Sequence, residues 1–481
     1  MAAKSRGKTP LHFQTIAELG AQLRDGSLTP LALTEALLER IDVLNPRLHA
    51  FKVVTRERAL AEARAAGELL RAGCDLGPLH GIPYCVKDLY DVKGEATTGG
   101  TRLQEKNVAA QDCHAVRKLA AAGMVLLGKT HTVQFAFGGV GINHDHGTPH
   151  NPWHAAPHAP GGSSSGTGVA VAAGLVPMGL GSDTGGSVRI PAALNGIAGL
   201  KTTVGRIGRS GVYPLSWTLD SVGPLARTVE DCALAYMALQ GPDPADETTA
   251  GVQPHDVLPT LRRSVEGLRL AFCETMFFDD VDTEVTAAVR GSAKVFEKLG
   301  ARVTGVEVPE IAEAFSFGRR DLFVAAEACL YNGELLDKHF DELDPVVVHR
   351  MIGGKKMTAT DYFALLRKWA ELRRDAIATL HDVDVLLVPT CQVPARPLEV
   401  IDADKDVYSQ YNLKYLRNTA VGNVLDFCGL SVPCGFDSSG LPIGLMVYAK
   451  PFAEDVALRV AHAYERASEW HLRHPELGWA E

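Results

Sequence analysis

The stretch GTGVAVAAGLVPMGLGSDTGGSVRIP, from Gly166 to Pro191, decides the fold class. Residues 166–183 predict a helix followed by a buried strand, and they contain an apolar run, Val169 to Leu180, that is broken by Gly174, Pro177 and Gly179. The strand-like Val-Arg-Ile at 188–190 predicts a second, short strand after the turn. The pattern thus places a turn of small and hydroxyl residues between buried elements, where an ordinary loop would be polar and loosely ordered.

The turn itself has the composition of a reactive site. Gly185 and Gly186 carry no Cβ, so the backbone can turn tightly and approach a ligand closely. Ser187 follows directly and can therefore lie beside several backbone N–H groups. Such groups stabilise the oxyanion that develops when a carbonyl is attacked. The turn is therefore a candidate site for nucleophilic chemistry.

Helical and strand-like segments alternate along the chain. Two amphipathic helices are predicted within residues 15–43, and Thr29 followed by Pro30 is a typical helix start. The other predicted elements are a helix at 56–73, a strand within 81–94, a helix and a strand within 112–130, strands at 383–390 and 441–449, and a helix at 454–470. This alternation predicts an α/β sandwich around a largely buried sheet.

We expect the chain, residues 1–481, to form a single domain in three parts. Residues 1–75 would supply helices that pack on the core, residues 76–240 the catalytic core, and residues 241–481 the remainder of the sandwich. The segment GPDPADETT at 241–249 is rich in turn-forming residues and is the best candidate for a boundary. No internal repeat or low-complexity linker interrupts the sequence.

Composition excludes several classes of partner. With 46% hydrophobic and 22% charged residues, the chain of 481 residues can bury a large core, and its net charge of −9 argues against nucleic acid as the main partner. The basic start MAAKSRGKTPLHF lacks the apolar core of a signal peptide, and no run approaches the ~20 apolar residues of a membrane span. We therefore expect a cytoplasmic protein without a membrane partner.

The cysteines point in the same direction. Nine are scattered along the chain without any C-x-x-C pair. An odd number without framework spacing predicts buried thiols in a reducing compartment and not disulfides.

A glycine-serine segment before the apolar run has both a chemical and a structural interpretation. The segment GGSSSG at 161–166 contains G-x-S-x-G centred on Ser164, the pattern of a nucleophile elbow. An elbow needs a strand directly before it, and the preceding NPWHAAPHAP, with three prolines, disfavours one. A glycine-serine surface linker also fits poorly, because an apolar helical run follows at once.

Five histidines share a short segment and raise the question of a metal site: His144, His146, His150, His154 and His158. The last three are four residues apart and would align on one helix face as metal ligands. Prolines between and beside them disfavour that helix. We expect loop histidines and no metal.

Lys87 lies in the apolar segment GIPYCVKDLYDV. One interpretation is a lysine at a strand end paired with Asp88 or Asp91. The other is a desolvated amine, since burial disfavours the charged form and can leave a neutral base at physiological pH.

Lys87, the serine pair at 163–164 and Ser187 are far more specific together than alone, and with them the chain resembles the amidase signature family of serine hydrolases. The resemblance runs from about Leu11 to Trp470. Its carrying segments are LHGIPYCVKDLYDVKG (79–94), GKTHTVQFAFG (128–138), GGSSSGTGVAVAAGLVPMGLGSDTGGSVRIPAALNGIAGLKTTVGRIGRSGV (161–212), TLDSVGPLARTVED (218–231) and GLPIGLMVYAKPFAED (440–455). It implies an α/β/α sandwich with a mixed central sheet covered by helices on both faces.

The resemblance also implies roles for individual residues. Ser187 would be the nucleophile, Ser163 the bridging serine after a cis peptide bond, and Lys87 the base. The backbone N–H groups of Thr184, Gly185, Gly186 and Ser187 would form the oxyanion hole, with Asp183, Arg189 and Ser164 as supporting residues. No cofactor and no metal are implied, and the partner is a small-molecule amide.

Segments that line the pocket in this family correspond here to Phe137, Gly138, Tyr213 and Trp217. Aromatic lining suits an aryl or hydrophobic group. For Phe135, a neighbour in the same segment, we expect a core position.

Three functions are weighed. The first is a free-standing amidase that acts on small hydrophobic or aryl amides, with esters and carbamates as additional substrates, and a homodimer is left open. The second is the glutaminase component of a glutamine-dependent tRNA amidotransferase, although Val133-Gln134 stands where many tRNA-linked members carry Asp-Glu. Ser165, where many members have Gly, is a second departure. The third is a non-catalytic binding protein on the same fold.

Overall fold

The structure, a computed structural model, describes residues 9–316 and 320–481. The first eight residues of the predicted amino-terminal part therefore lie outside the described residues. Strands in the described part are β1 (Phe51–Val54), β2 (Pro83–Lys87), β3 (Val125–Thr130), β4 (Met178–Asp183), β5 (Ala198–Lys201), β6 (Ser221–Ala226), β7 (Arg269–Cys273), β8 (Arg302–Val306), β9 (Val385–Pro389), β10 (Cys428–Phe436) and β11 (Pro442–Ala449).

Helices fill much of the sequence between these strands. They are α1 (Ile16–Asp25), α2 (Pro30–Leu48), α3 (Arg56–Arg71), α4 (His114–Ala121), α5 (Ser165–Ala172), α6 (Arg189–Asn195), α7 (Val229–Leu239), α8 (Leu258–Leu261), α9 (Thr283–Lys298), α10 (Pro309–Ser316), α11 (Arg320–Lys338), α12 (Pro345–Met351), α13 (Ala359–Thr379), α14 (Leu398–Ile401), α15 (Lys405–Val424) and α16 (Glu454–Ser468).

The strands form one mixed sheet in the order β1-β3-β2-β4-β6-β5-β10-β11-β9-β7-β8. Strand β2 pairs in parallel with both β3 and β4, and β7 pairs in parallel with β8 and β9, whereas the other neighbours are antiparallel. Because parallel strands end at the same edge of a sheet, the ends of β2 and β4 lie side by side. Lys87 and Asp183 are the last residues of these two strands.

Burial confirms the α/β sandwich. Every position of the inner strands β2 to β6 is buried, while the edge strands β1 and β8 are largely accessible. Successive side chains of a strand point to opposite faces, so strands buried throughout require a cover on both faces. The helices supply that cover.

Local signals in the sequence identify many of these elements correctly. Helix α2 begins at Pro30, and the Thr29 hydroxyl accepts a hydrogen bond from Ala32 N at 3.1 Å. The predicted helices and strands at 56–73, 81–94, 112–130, 166–183, 383–390, 441–449 and 454–470 all coincide with observed elements to within a few residues.

The predicted strand at 188–190 is wrong, because helix α6 begins at Arg189. The carboxylate of Asp183 accepts hydrogen bonds from Gly186 N at 2.8 Å and Val188 N at 3.1 Å, which curls the chain back. Ile190 N then donates to Gly186 O at 2.7 Å and continues the helical turn. These side-chain-to-backbone hydrogen bonds within the turn override the strand preference of β-branched residues.

The segment 241–249 is less of a free surface loop than its composition indicates. Asp243 and Asp246 within it are buried, and Asp246 forms an ion pair with Arg209 at 3.0 Å. The single sheet contains strands from all three predicted parts of the chain. The organisation of these parts as one domain stays a prediction.

All nine cysteines are free thiols, and seven of them are buried as predicted. Cys74 is an exception because it is exposed, and Cys329 is partly exposed. Within residues 9–316 and 320–481, no helix has both the length and the apolar composition needed to cross a membrane.

Candidate active site

Lys87 ends strand β2 in a fully buried position. Its Nζ lies 2.7 Å from Ser163 Oγ and 2.9 Å from Ser182 Oγ. Burial lowers the pKa of Lys87 from its usual value to about 7, although the carboxylates of Asp220 and Asp183 act in the opposite direction. The amine is therefore poised between its charged and neutral forms near neutral pH.

The alternative pairing of Lys87 with Asp88 or Asp91 is not what the structure contains. Asp88 instead forms an ion pair with Lys129 at 2.7 Å. Asp91 accepts a hydrogen bond from Thr97 Oγ1 at 2.7 Å. The hydrogen bonds of the Lys87 amine to the two serine hydroxyls fit the desolvated interpretation.

The serine run lies directly against the lysine and the glycine turn. The peptide bond between Gly162 and Ser163 is cis, as the resemblance implied. Ser163 O accepts hydrogen bonds from Val133 N at 3.2 Å and Thr132 Oγ1 at 3.1 Å, which fix the residue in place. Ser164 N donates to Ser187 O at 3.3 Å, so the run and the turn are in contact.

Ser164 does not lie on a nucleophile elbow. No strand precedes it in the described segment, and helix α5 begins at the next residue. Its hydroxyl is buried and donates to Ser182 O at 3.4 Å. The supporting role of Ser164 stays a prediction.

The turn from Asp183 to Arg189 is braced by a buried ion pair. Arg189 Nη2 lies 2.8 Å from Asp183 Oδ1, and both side chains are fully buried. Burial acts to raise the pKa of Asp183, but the Arg189 guanidinium and its hydrogen bonds hold that pKa well below its usual range. Asn423 from α15 donates to the same carboxylate at 2.9 Å, and Tyr448 from β11 contacts Arg189 at 2.5 Å.

Gly186 is required by packing against α15 as well as by the turn. Its φ is +133°, and an added Cβ would lie 2.1 Å from Thr419 Oγ1. Thr419 Oγ1 also donates to Gly185 O at 2.6 Å. Because Gly186 N donates to Asp183, that N–H is shared with a carboxylate, and its place in an oxyanion hole stays a prediction.

Asp220, just before β6, contacts Thr184, the second residue of the turn. Its Oδ1 accepts a hydrogen bond from Thr184 Oγ1 at 2.5 Å, and its Oδ2 accepts from Leu215 N and Ser216 N at 2.9 and 3.0 Å. Burial raises the pKa of Asp220, opposed by these donors and by Arg209. Ser187 itself is 4% exposed, so the predicted nucleophile is recessed.

The residues proposed to line the substrate pocket have unequal exposure. Phe137 is buried beneath Arg350, whose guanidinium lies 4.3 Å from the ring centroid, and the neighbouring Gly138 is buried as well. Trp217 is 38% exposed and stacks with Arg209 at 4.2 Å. Lining of a pocket by these residues stays a prediction.

Tyr213 and Phe135 form a stacked aromatic pair with ring centroids 6.3 Å apart. Phe135 is buried in the core, as expected. Tyr213 is partly buried, and its hydroxyl donates to Asn332 Oδ1 at 2.6 Å and accepts from Gln104 at 2.7 Å. The Tyr213 hydroxyl is therefore held by helix α11.

None of the five clustered histidines lies in a helix. His144 bridges two carboxylates, with Nδ1 2.7 Å from Asp344 and Nε2 3.0 Å from Asp402. His146 Nε2 lies 3.3 Å from Lys52 Nζ, His150 contacts the His154 carbonyl, and the rings of His154 and His158 are 4.2 Å apart. Within the described ranges, no group of three metal-binding side chains is arranged to hold an ion, and the absence of a metal stays a prediction.

Ser182 and Asp220 are site residues that the sequence reasoning did not single out. Ser182 lies within the stretch quoted first, and its Oγ accepts a hydrogen bond from Lys87 Nζ, while Asp220 lies within TLDSVGPLARTVED. Strand β4 lies between β2 and β6, and this order would have predicted that Ser182 and Asp220 lie near Lys87. The order of strands cannot be read from local periodicity.

Comparison with known proteins agrees with this geometry. The amidase family model matches residues 32–458. The chain is 40% identical to the 2-amino-5-chloromuconic acid deaminase of Comamonas testosteroni, over 94% of this chain and 95% of that protein. It is 38% identical to a glutamyl-tRNA(Gln) amidotransferase subunit from Chromohalobacter salexigens, over 97% of this chain and 99% of that protein.

Among solved structures, the native peptide amidase of Stenotrophomonas maltophilia superposes with a TM-score of 0.84 at 29% identity, covering 98% of this chain and all of that one. The chain belongs to the amidase family, and it is an amide-hydrolysing enzyme. This disfavours a non-catalytic binding protein.

Proposed function

We propose that this member of the amidase family is a free-standing amidase that cleaves the C–N bond of small hydrophobic or aryl amides through an acyl-Ser187 intermediate. The observation that carries the proposal is the buried Lys87 amine, 2.7 Å from Ser163 Oγ, with its pKa lowered by burial to about 7. A protonated Lys87 donates to Ser163, whereas a neutral Lys87 can accept the hydroxyl proton at the same distance.

The first chemical step activates Ser187. Neutral Lys87 takes the proton of Ser163 Oγ, which in turn takes the proton of Ser187 Oγ. The Ser187 oxygen attacks the carbonyl carbon, and the electron pair of the C=O bond moves to the oxygen. Serine is a weak nucleophile at its ordinary pKa, so this relay is needed.

The tetrahedral oxyanion is stabilised by backbone N–H groups of the turn, from Thr184 to Ser187. The ion pair of Asp183 with Arg189 holds the turn in shape before substrate arrives, so that no reorganisation is needed during the reaction. Ser163 then returns the proton to the leaving nitrogen, the C–N bond breaks, and water hydrolyses the acyl-enzyme by the same relay.

A hydrophobic or aryl substrate is proposed from the aromatic residues predicted to line the pocket. Tyr213 and Trp217 follow the nucleophile in sequence, and the Trp217 side chain is partly exposed. Esters and carbamates pass through the same type of tetrahedral intermediate, so we expect them as additional substrates. The deaminase of Comamonas testosteroni and the peptide amidase of Stenotrophomonas maltophilia are named for C–N chemistry on small molecules and peptides, which agrees with this class.

The second candidate is the glutaminase component of a glutamine-dependent tRNA amidotransferase, favoured by the 38% identity to a protein of that name. In that case the chain would release ammonia from glutamine and need further protein partners. Gln134, where many tRNA-linked members carry Glu, here uses its side-chain oxygen to accept a hydrogen bond from Asp344 N at 2.9 Å. This neutral, structurally engaged side chain favours the free-standing amidase.

The experiment that tests the proposal compares substrates and variants. Purified chain is assayed for nitroaniline release from short acyl nitroanilides, for release from an aryl carbamate, and for ammonia release from glutamine. Ser187→Ala should abolish turnover and labelling by a fluorophosphonate probe while the fold remains, and Ser163→Ala should lose most activity. Labelling of Ser187→Ala would return Ser164 as the nucleophile. Efficient glutamine hydrolysis without the other activities would instead establish the amidotransferase function.

A further inference from the structure

Helix α11 is tied to the segment that follows the turn by one buried carboxylate, that of Glu327. Its Oε1 accepts hydrogen bonds from Thr218 Oγ1 and Tyr362 OH, both at 2.6 Å. Its Oε2 accepts from Ser216 Oγ and from Thr218 N. Four donors from two different segments therefore converge on this side chain, which is only 7% exposed.

Ser216 continues the connection towards the turn. Its hydroxyl contacts Glu327, and its backbone N–H donates to Asp220 Oδ2 at 3.0 Å. The other oxygen of Asp220 accepts the hydroxyl of Thr184 at 2.5 Å. An unbroken chain of hydrogen bonds thus runs from α11 through Ser216 and Asp220 to the first residue of the predicted oxyanion hole.

We propose that Asp220 is a positioning residue, which Glu327 fixes through Ser216 and which holds Thr184 in place in the oxyanion turn. The inference rests on the proposed function, because it assumes that the turn stabilises an oxyanion. Asp220 does not touch the reacting atoms in this scheme.

The groups on Asp220 explain why a carboxylate stands there. Its two oxygens accept three hydrogen bonds, from the backbone of Leu215 and Ser216 and from Thr184. A carboxylate has acceptor capacity for all three without a donor of its own to satisfy. Small displacements of a preorganised donor are costly, since misplacement by about 1 Å can reduce rates on the order of 100-fold.

The charge of Asp220 has a consequence that a purely structural group would not have. Asp220 and Asp183 are the carboxylates that raise the pKa of Lys87 against the effect of burial. Asp183 is compensated by Arg189, and Asp220 lies near Arg209. On the flanking strand, Lys129 is paired with Asp88. Removal of the Asp220 charge should therefore lower the pKa of Lys87 further.

The first test separates the hydroxyl of Thr184 from its size. Thr184→Val keeps the shape but removes the donor to Asp220, whereas Thr184→Ser keeps the donor. With the best amide of the substrate panel, we expect Thr184→Val to lower kcat on the order of 10-fold with little change in KM, and Thr184→Ser to retain most of the rate. Equal rates for Thr184→Val and the parent enzyme would overturn the proposal.

The second test separates charge from position. In Asp220→Asn, the amide oxygen can accept the two backbone N–H groups while its NH₂ donates to Thr184 Oγ1. The acid limb of the kcat/KM profile should then move to lower pH. An unmoved acid limb would contradict the proposed effect on Lys87. The matched control is Glu465→Gln, which should keep the parent profile. Glu465 is a buried residue of α16, and its carboxyl group accepts a hydrogen bond from Val229 N at 2.9 Å.

The third test asks whether Glu327 acts through the same chain. Glu327→Ala should lower kcat several-fold, and Glu327→Gln, which can still accept from Ser216, should restore most of it. In the double variant Thr184→Val/Glu327→Ala, the loss should not exceed that of Thr184→Val alone, because one path is broken in both. Additive losses would show that Glu327 does not act through Thr184.

Failure of the inference and of the proposed function give different results. If Ser187→Ala is inactive but Thr184→Val and Asp220→Asn match the parent enzyme, the inference is wrong and the proposed function stands. If Ser187→Ala keeps full turnover, the proposed function itself fails. Circular dichroism of each variant, compared with Glu465→Gln, distinguishes a loss of rate from a loss of fold.

Discussion

The ends of β2 and β3 each carry a lysine that is removed from solvent, and the two lysines have different partners. Lys129, on β3, meets the carboxylate of Asp88 at 2.7 Å and also donates to Ala96 O at 2.6 Å. Lys87, on β2, has hydrogen bonds to two serine hydroxyls within the described structure, those of Ser163 and Ser182.

The difference teaches that burial alone does not make a base. Both ammonium groups lose their hydration, which disfavours the charged form. Lys129 has a carboxylate in contact, whereas Lys87 contacts two hydroxyls, and burial lowers the pKa of Lys87 to about 7. One sheet thus carries a structural ion pair and a candidate base on adjacent strands, and the choice of partner separates them.

The largest expected effect is the loss of amide turnover in Lys87→Met. Loss of the base should lower kcat for an acyl nitroanilide on the order of 1,000-fold, because the relay to Ser187 and the proton for the leaving nitrogen both depend on it. An aryl ester should lose less, since its leaving oxygen needs that proton less. Stopped assays on matched amide and ester substrates measure the difference.

Lys201→Met is the matched control for this variant. Lys201 is equally buried, on β5, and its Nζ donates to Thr202 O and Phe427 O at 2.9 and 3.0 Å and lies 3.9 Å from Asp426. Turnover per folded molecule should remain close to the parent value. Equal losses on amide and ester in Lys87→Met would count against the relay.

The second prediction concerns stability and reverses the roles of the two lysines. Lys129→Met leaves the Asp88 carboxylate buried without its cation, which should lower the free energy of unfolding by about 3–5 kcal/mol. Lys87→Met removes a buried amine that has no contacting carboxylate, and should raise it by about 0.5–2 kcal/mol. Urea unfolding at pH 7 measures both.

The double variant Asp88→Asn/Lys129→Met sharpens this comparison. With both charges removed, much of the loss in Lys129→Met should be recovered, because no isolated charge remains buried. If Lys129→Met were as stable as the parent enzyme, the ion pair would not be what stabilises the charge of Lys129, and the contrast between the strands would fail.

The same contrast shows what the sequence can predict. The apolar context of Lys87 was readable in GIPYCVKDLYDV, but its partner was not, since Asp88 and Asp91 are both closer in sequence than Ser163. Asp88 is the next residue along the chain and nevertheless pairs with Lys129 across the sheet. Sequence proximity is a poor guide to pairing where strand order decides.

Elements with strong local periodicity were predictable, and those set by particular side-chain contacts were not. Helix α2 and strand β9 follow from capping and apolar runs. Helix α6 was mistaken for a strand because the Asp183 carboxylate, and not local preference, curls residues 186–190. Glu327 carries no sequence signal at all, because its partners Ser216 and Thr218 lie more than 100 residues away.

The third prediction is a pH profile. A neutral Lys87 is required, and its pKa is about 7. The kcat/KM value should therefore decline below pH 7, approaching a tenfold loss per pH unit, and level off above it. A profile measured from pH 5 to 9 in constant ionic strength checks this. An acid limb near the ordinary pKa of lysine would show that burial does not tune the amine.

The smallest effect lies at His144, where the carboxylate partners outweigh burial and raise the pKa, whereas at Lys87 burial outweighs the nearby carboxylates and lowers it. Hydrogen bonding to Asp344, aided by Asp402, raises the pKa of His144 to about 9, against the effect of burial. Because the folded pKa lies above the unfolded value of 6.5, the stabilisation is fully present below pH 6.5. It is lost as the pH rises through 9.

His144→Gln should therefore lower the free energy of unfolding at pH 6 and have little effect at pH 10. His144 is 34% exposed, so solvent screening reduces the effect to about 1 kcal/mol. His381→Gln, at a histidine that is 74% exposed beside Asp382, is the control and should show no such dependence. Each histidine has a carboxylate neighbour of its own. A difference between the two variants would therefore identify the partly buried position of His144 between two carboxylates as the cause. The same loss at both pH values would mean that His144 stabilises the loop by packing and not by charge. Carboxylate contact would then not explain why the pKa of His144 is raised while that of Lys87 is lowered.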